Sequence, residues 1–185
     1  MNDSVLRPVV ESLIFSAESP LPTEAIRDIL GEPDKARIEK TLEALKQEYQ
    51  DARHGFELVL VAEGYQFRTK RQYSEWIKKL RKTRAPRLSR SSMEVLAIVA
   101  YRQPIVRAEV EAIRGVDSSS VLKSLLERRL IRILGRKDVP GRPMVYGTTK
   151  EFLHLFGLKN LSDLPTLREI EELHKEEAPH ATPPS

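Results

Sequence analysis

The 185-residue chain has no cysteine, which removes a disulfide framework, a thiolate metal site and a cysteine nucleophile together. Its stability must therefore come from packing. No apolar run approaches the ~20 residues that cross a bilayer, and the opening Met-Asn-Asp-Ser has neither the basic nor the apolar region of a signal peptide. A cytoplasmic protein without membrane contact is expected. The four histidines, His54, His154, His174 and His180, make no HExxH spacing and read as lone surface residues. The glycines of residues 135–143 lack the GK[ST] of a phosphate loop and do not lead into a helix. No enzyme chemistry, metal or cofactor is expected.

Hydrophobic residues at 40% and charged residues at 31% describe an ordinary globular protein. The formal charge of +4 is unevenly spread: residues 1–84 carry a net +1, residues 85–160 +7 and residues 161–185 −4. From Leu6, the positions Val9, Val10, Leu13 and Ile14 recur at helical spacing up to Ser19 and Pro20. A second helix is predicted over 23–30, with Ile26 and Ile29 inward and Gly31 as terminator. A third is predicted over 35–53, where Ile38, Leu42, Leu45 and Tyr49 share one face. Past Gly55 the period falls to two, and Glu63 and Gly64 separate two alternating runs as a hairpin turn would. Three helices and a hairpin is the order of a winged helix, the hairpin being the wing.

The second half repeats the first. A shift of 84 residues lays Pro20 on Pro104, Leu21 on Ile105, Ile26 on Val110, Ile29 on Ile113 and Gly31 on Gly115. Past the wings the shift becomes 80, so that Thr69 and Lys70 meet Thr149 and Lys150. The expected fold is mostly helical α+β, two tandem winged helices: residues 1–84, residues 85–165, then an acidic amphipathic stretch and disordered tail over 166–185. Pro86, inside a basic run without an acid between Glu75 and Glu94, marks the boundary. Residues 93–101 are apolar almost all round, so that helix is expected to be the most buried element. The run DSSS at 117–120 reads as a helix N-cap rather than a nucleophile.

Winged helices commonly bind DNA, so a DNA-binding transcriptional regulator is the natural rival reading. The third helix of the first half carries Glu39, Glu43, Glu48 and Asp51, and its counterpart offers Ser118, Ser119, Lys123 and Ser124, without Arg, Asn or Gln near its start to read base edges. Weak, non-specific backbone contact through Arg136, Lys137 and Arg142 remains open. In the first wing, Val59 and Val61 occupy the face that water would normally wet, so a cover is expected, either a partner or the helix of Trp76.

The second half resembles bacterial segregation and condensation protein B in LAIVAYRQPI (96–105), RGVDSSS (114–120), LLERRLI (125–131), GRKDVPGRP (135–143), YGTT (146–149), FGL (156–158) and DLP (163–165). The first half is similar more loosely, through GFEL (55–58) and GYQFRTK (64–70). Val106 stands where the family often has Thr or Ser, so a capping hydroxyl worth ~1 kcal/mol is missing. The resemblance implies a nucleoid-associated, non-catalytic homodimer that grips the central segment of a kleisin, itself bridging the heads of an Smc ATPase, in chromosome condensation and segregation. On that reading Val59 and Val61 lie in the dimer interface. Tyr101, Arg102, Gln103, Pro104, Arg136, Arg142 and Tyr146 form the kleisin contact, because family-like sequence in loops points to binding and interface anchors favour aromatics and arginine.

Limited proteolysis is expected to cut within residues 84–90 or after Glu177; resistance at both places would rule out two units joined by the basic run.

Overall fold

In a computed structural model the chain is described over residues 2–31, 34–81, 87–166 and 168–169. The boundary expected at Pro86 and most of the acidic tail lie outside the described residues. The fold is mostly helical with two small sheets. The first half runs α1 (Asp3–Ser16), α2 (Thr23–Leu30), α3 (Lys35–Gln50), β1 (Phe56–Val61), β2 (Gly64–Thr69) and α4 (Ser74–Arg81). The second runs α5 (Arg90–Arg102), β3 (Ile105–Val106), α6 (Arg107–Arg114), α7 (Ser119–Glu127), β4 (Ile131–Arg136), β5 (Met144–Thr148) and α8 (Lys150–Phe156). The repeat extends to strand pairing. Ile105 pairs with Tyr146 in a three-stranded sheet ordered β3-β5-β4, and Leu21, 84 residues earlier, makes an isolated antiparallel bridge to Tyr65 beside the β1-β2 hairpin.

Several helix ends of the first half have a local cause. The Asn2 side chain accepts from the Val5 amide and opens α1; the Asp34 carboxylate accepts from the amides of Ala36 and Arg37 and opens α3. The α3 helix ends at Gln50, three residues short of the sequence expectation. There the Asp51 carboxylate takes the Arg53 amide at 2.8 Å and the Arg53 guanidinium, bonds that turn the backbone out of the helix and hold the carboxyl down at about 2. Gly31 closes α2 in the left-handed conformation that a glycine adopts freely.

The first apolar core joins Leu6, Val10 and Ile14 of α1, Ile26 of α2, Ile38, Leu42, Leu45 and Tyr49 of α3, and Leu58 of β1. Tyr49 also stacks against His54, Phe56 and Phe67, and its hydroxyl donates to the Glu11 carboxylate, tying α3 to α1. That bond, with burial second, pushes the phenol up to about 12. Ile29 departs from expectation: it is 59% exposed. The inward stripe of α2 is Ile26 with Leu30, one turn on, and Ile29 falls on the other side.

The second core contains Val95, Leu96, Val99 and Ala100 of α5, Val110, Leu122, Leu125, Ile131, Tyr146 and Phe152. The α5 helix buries one stripe rather than its whole circumference: Met93 and Tyr101 are 42% and 44% exposed. The same core includes Val61 and Ala62 of the first half, with Val59 partly buried against it. Alternate residues of β1 therefore enter different cores, Leu58 the first and Val61 the second. The strand is covered on both sides.

The cover is the second half of the same chain, not the helix of Trp76, whose ring is 65% exposed. The hairpin turn is Ala62 and Glu63, both left-handed, while Gly64 already pairs with Val61. Its amides point outward and donate to the carbonyls of Leu158 and Lys159 at 2.8 and 2.9 Å. The Gln66 amide oxygen lies 2.9 Å from His154 Nε2, and Lys150 pairs with Glu63 at 2.9 Å. His154 is thus an interface residue rather than a lone surface one. The ion pair, with both side chains more than half exposed, adds little beside the backbone bonds.

Three substitutions test this packing. A Cβ on Gly64 would sit 2.6 Å from the Pro20 carbonyl carbon, backbone against backbone, whereas one on Gly55 would meet nothing within 4 Å. In thermal or urea unfolding, Gly64→Ala is expected to cost about 1–3 kcal/mol and Gly55→Ala almost nothing. Equal effects would refute the close approach. Val61→Lys places an ammonium in the second core and is expected to cost about 2 kcal/mol or more. Scanning calorimetry should then resolve two transitions where the wild type shows one; an unchanged single transition counts against the hairpin as the link.

Candidate functional site

The residues expected to meet a partner divide sharply once their surroundings are known. Tyr101 ends the exposed face of α5, and its hydroxyl donates to the Pro165 carbonyl at 2.7 Å. Arg102 and Pro104 are exposed. Gln103 between them is a brace. Its amide nitrogen donates to the Ala100 carbonyl and the Thr148 hydroxyl, and its oxygen accepts from the Thr148 amide at 2.8 Å. It fastens the end of α5 to β5, so the partner-facing role expected of it is withdrawn. Tyr146 is withdrawn too, because it is buried in the second core opposite Ile105. An alternating strand sends every second residue inward, and Tyr146 is one of those.

The β4–β5 loop is braced from within. Arg136 donates to the Arg142 carbonyl at 3.0 Å, and the Lys137 amide donates to the Pro143 carbonyl at 2.9 Å. Lys137 reaches Glu109 at 2.9 Å. Glu109 in turn accepts from the Val106 amide at 3.0 Å, and these bonds, the backbone one first, lower its carboxyl pKa. Val106 is the N-cap of α6 and has no side-chain oxygen to return a bond, so the capping box is half built, as the departure at this position predicts. Arg142 stays exposed, held at positive φ by the turn. The surface candidates that survive are Tyr101, Arg102, Pro104, Arg136 and Arg142.

Val59 and Val61 are already occupied within the chain. Val61 is 4% exposed, and Val59 packs against the second core. The expectation that their face awaits another copy is corrected for this chain, since the second half fills it.

One structural role escaped the sequence reading. Arg114, whose side chain is 9% exposed, donates to Ser118 Oγ at 2.9 Å and to Glu94 at 3.3 Å. Glu111 accepts from the Ser118 amide, and Asp117 accepts from both the amide and the hydroxyl of Ser119. The Ser119 hydroxyl, ahead of burial in the opposite sense, lowers the Asp117 carboxyl pKa. The α7 start is therefore capped by Asp117 and Glu111, not by Ser118, whose hydroxyl is turned inward to Arg114. Arg114 and Ser118 of the RGVDSSS run, with Glu94 and Glu111, form a polar clasp between α6, α7 and α5. The fixed Arg-to-Ser spacing was the available signal. It went unread because Arg114 resembles a surface residue at the end of an amphipathic helix.

Among the described residues, no group of three or more His, Cys, Asp or Glu could hold a metal ion, and no helix is long and apolar enough to cross a membrane.

Comparison with known proteins finds similarity across both halves. The family described as segregation and condensation complex subunit ScpB matches residues 8–167. Segregation and condensation protein B of Syntrophotalea carbinolica is 50% identical over 176 residues, covering 95% of this chain and 89% of that protein. A crystal structure of ScpB from Mycobacterium tuberculosis is similar at 30% identity over 85% of this chain and 98% of that one, with a TM-score of 0.42. A dimer of an ScpB N-terminal domain complexed with ScpA peptide is similar at 26% identity over 42% of this chain and 95% of that one, TM-score 0.39. The chain belongs to the ScpB family, the non-catalytic accessory subunits of the bacterial segregation and condensation complex.

Proposed function

We propose that this chain is a cytoplasmic, homodimeric adaptor of two tandem winged-helix domains, residues 1–84 and 85–165, that binds the kleisin ScpA and through it the Smc ATPase. The observation that carries the reading is the family match over residues 8–167, which takes in both repeats and not the signature-rich second one alone. The element order of each half, with Leu21 and Ile105 in equivalent strand pairs, supports the winged-helix assignment. The ATP chemistry belongs to the Smc partner.

Within this reading the dimer forms through the first domain. With Val59 and Val61 filled by the second domain, the α4 stripe of Trp76 and Leu80, 65% and 78% exposed and one turn apart, is the surface offered to another copy. The kleisin contact lies on the second domain at Tyr101, Arg102 and Pro104, with Arg136 and Arg142 on the loop. DNA reading by α7 is not favoured: the Ser119 hydroxyl at its start is engaged by Asp117 and Arg107, and the nearby Lys137 is paired with Glu109.

Calorimetry against a central ScpA fragment tests the site. Arg102→Ala with Arg142→Ala is expected to weaken binding by about tenfold or more while leaving the circular dichroism spectrum unchanged. Unchanged affinity moves the contact elsewhere on the chain. No binding by the wild type, or a light-scattering mass of one chain at all concentrations, counts against the adaptor reading itself.

A further inference from the structure

The two hairpins correspond residue by residue. Tyr65 pairs with Leu21 on one side and Leu60 on the other, as Tyr146 pairs with Ile105 and Ile133. Counted along the strands from Leu60 and Ile133, Val59 and Val61 of β1 correspond to Arg132 and Leu134 of β4. Arg132 lies directly across from Gly147, and a Cβ on Gly147 would come within 2.8 Å of Leu134 Cδ1. Leu134 therefore lies over Gly147, on the face that Arg132 shares.

These equivalent faces are covered differently. Val61 is 4% exposed because the second half lies over it, whereas Leu134 is 46% exposed and Arg132 is exposed as well. The Arg132 guanidinium makes no ion pair or side-chain hydrogen bond among the described residues. It borders a cleft of about 600 Å³ whose other charged lining residues, Glu63 and Lys150, are paired with each other at 2.9 Å. Leu161, 41% exposed, lies on the same lining. The face thus holds one unspent cation, with Leu134 beside it along the strand and Leu161 across the cleft. A nucleic-acid backbone would use Arg132 and gain nothing from the two leucines; a protein segment uses all three.

We propose that the outer face of the β4–β5 hairpin receives an extended segment of a partner protein in which a carboxylate and an apolar side chain stand two residues apart, the carboxylate on Arg132 and the apolar group on Leu134. Alternate residues of an extended chain project to one side roughly 7 Å apart, the same interval that separates Arg132 from Leu134 in β4. A carboxylate suits the planar guanidinium better than any neutral group. The inference rests on the adaptor reading for the identity of the partner, ScpA, and adds to it a contact and the chemistry of the segment that fills it.

Calorimetry of the full-length chain against a central ScpA fragment tests this contact. Arg132→Glu with Leu134→Ser is expected to weaken binding about tenfold or more, and Arg132→Lys by about threefold or less, with circular dichroism spectra unchanged. Because the chain has no cysteine, Leu161→Cys can carry a single environment-sensitive fluorophore at the cleft. Its emission is expected to shift when the fragment binds, and the same label on Ser16→Cys in α1 is expected to stay unchanged. A fragment that binds the wild type and the double variant alike, or that binds without moving the Leu161 label, overturns this contact and leaves the adaptor reading intact. A label response to duplex DNA as large as that to the fragment gives the face to nucleic acid and overturns it too. No binding by the wild type removes the adaptor reading, and this contact with it.

Discussion

The pair of backbone bonds from Ala62 and Glu63 to the carbonyls of Leu158 and Lys159 is the constraint from which the relation between the two halves follows. In an ordinary hairpin of this type the two central residues point their amides into solvent. Here both residues are left-handed without being glycine, a conformation that costs a β-carbon some strain. The strain is offset because the turn aims two donors at two carbonyls just past the C-terminus of α8, groups that would otherwise need water. The register matters as much as the turn. Because Gly64 pairs with Val61 and lies against the Pro20 backbone, the hairpin cannot slip by one residue without exchanging the sides of Leu58 and Val61. A slip would present Val61 to the first core and strip the second core of its outer wall.

The repeat invites comparison of equivalent positions, and the most informative are those where the chemistry differs. Val10 and Leu30 sit together in the first core; their counterparts 84 residues on are Glu94 and Arg114, which form an ion pair with the arginine largely buried. The geometry of three helices thus accepts either a dispersion contact or a charged clasp at the same place. The clasp is the costlier solution, since a buried guanidinium must be repaid through every available bond and Arg114 Nε has no partner. What it adds is direction. Arg114 holds the Ser118 hydroxyl, Asp117 caps the start of α7 through the Ser119 amide, and Glu111 accepts from the Ser118 amide. An apolar pair would pack the helices without specifying that turn.

This explains how far the sequence was legible. Period and spacing located nearly all the elements, because an apolar stripe at 3.6 or at two is a direct record of which side meets a core. They failed where burial was decided by something distant in the chain. Val59 and Val61 were read correctly as needing cover, but the cover comes from residues about a hundred positions later, which no local pattern encodes. Gln103 and Tyr146 failed for a related reason: both lie in family-like segments, and such segments can be held fixed by internal bonds as readily as by a partner. Ile29 and the helix from Met93 were misread for want of an angle, since in a short helix a 60° difference separates a core residue from an exposed one.

The same separation narrows where a partner can act. The outer face of the first hairpin is used up inside the chain, and Arg114, Ser118 and Ser119 are engaged by the clasp at the start of α7. The end of α5 and the tip of the β4–β5 loop are both exposed and are held differently. Tyr101 and Arg102 ride on a helix whose next residue, Gln103, is bonded to the Ala100 carbonyl and to the amide and hydroxyl of Thr148 in β5, so their backbone is preorganised. Arg142 sits on a loop tied by the Arg136 guanidinium, by the Arg142 amide to the Val139 carbonyl, and by Lys137 to Glu109 of α6. A partner that gained its affinity from Tyr101 and Arg102 would pay little to order their backbone.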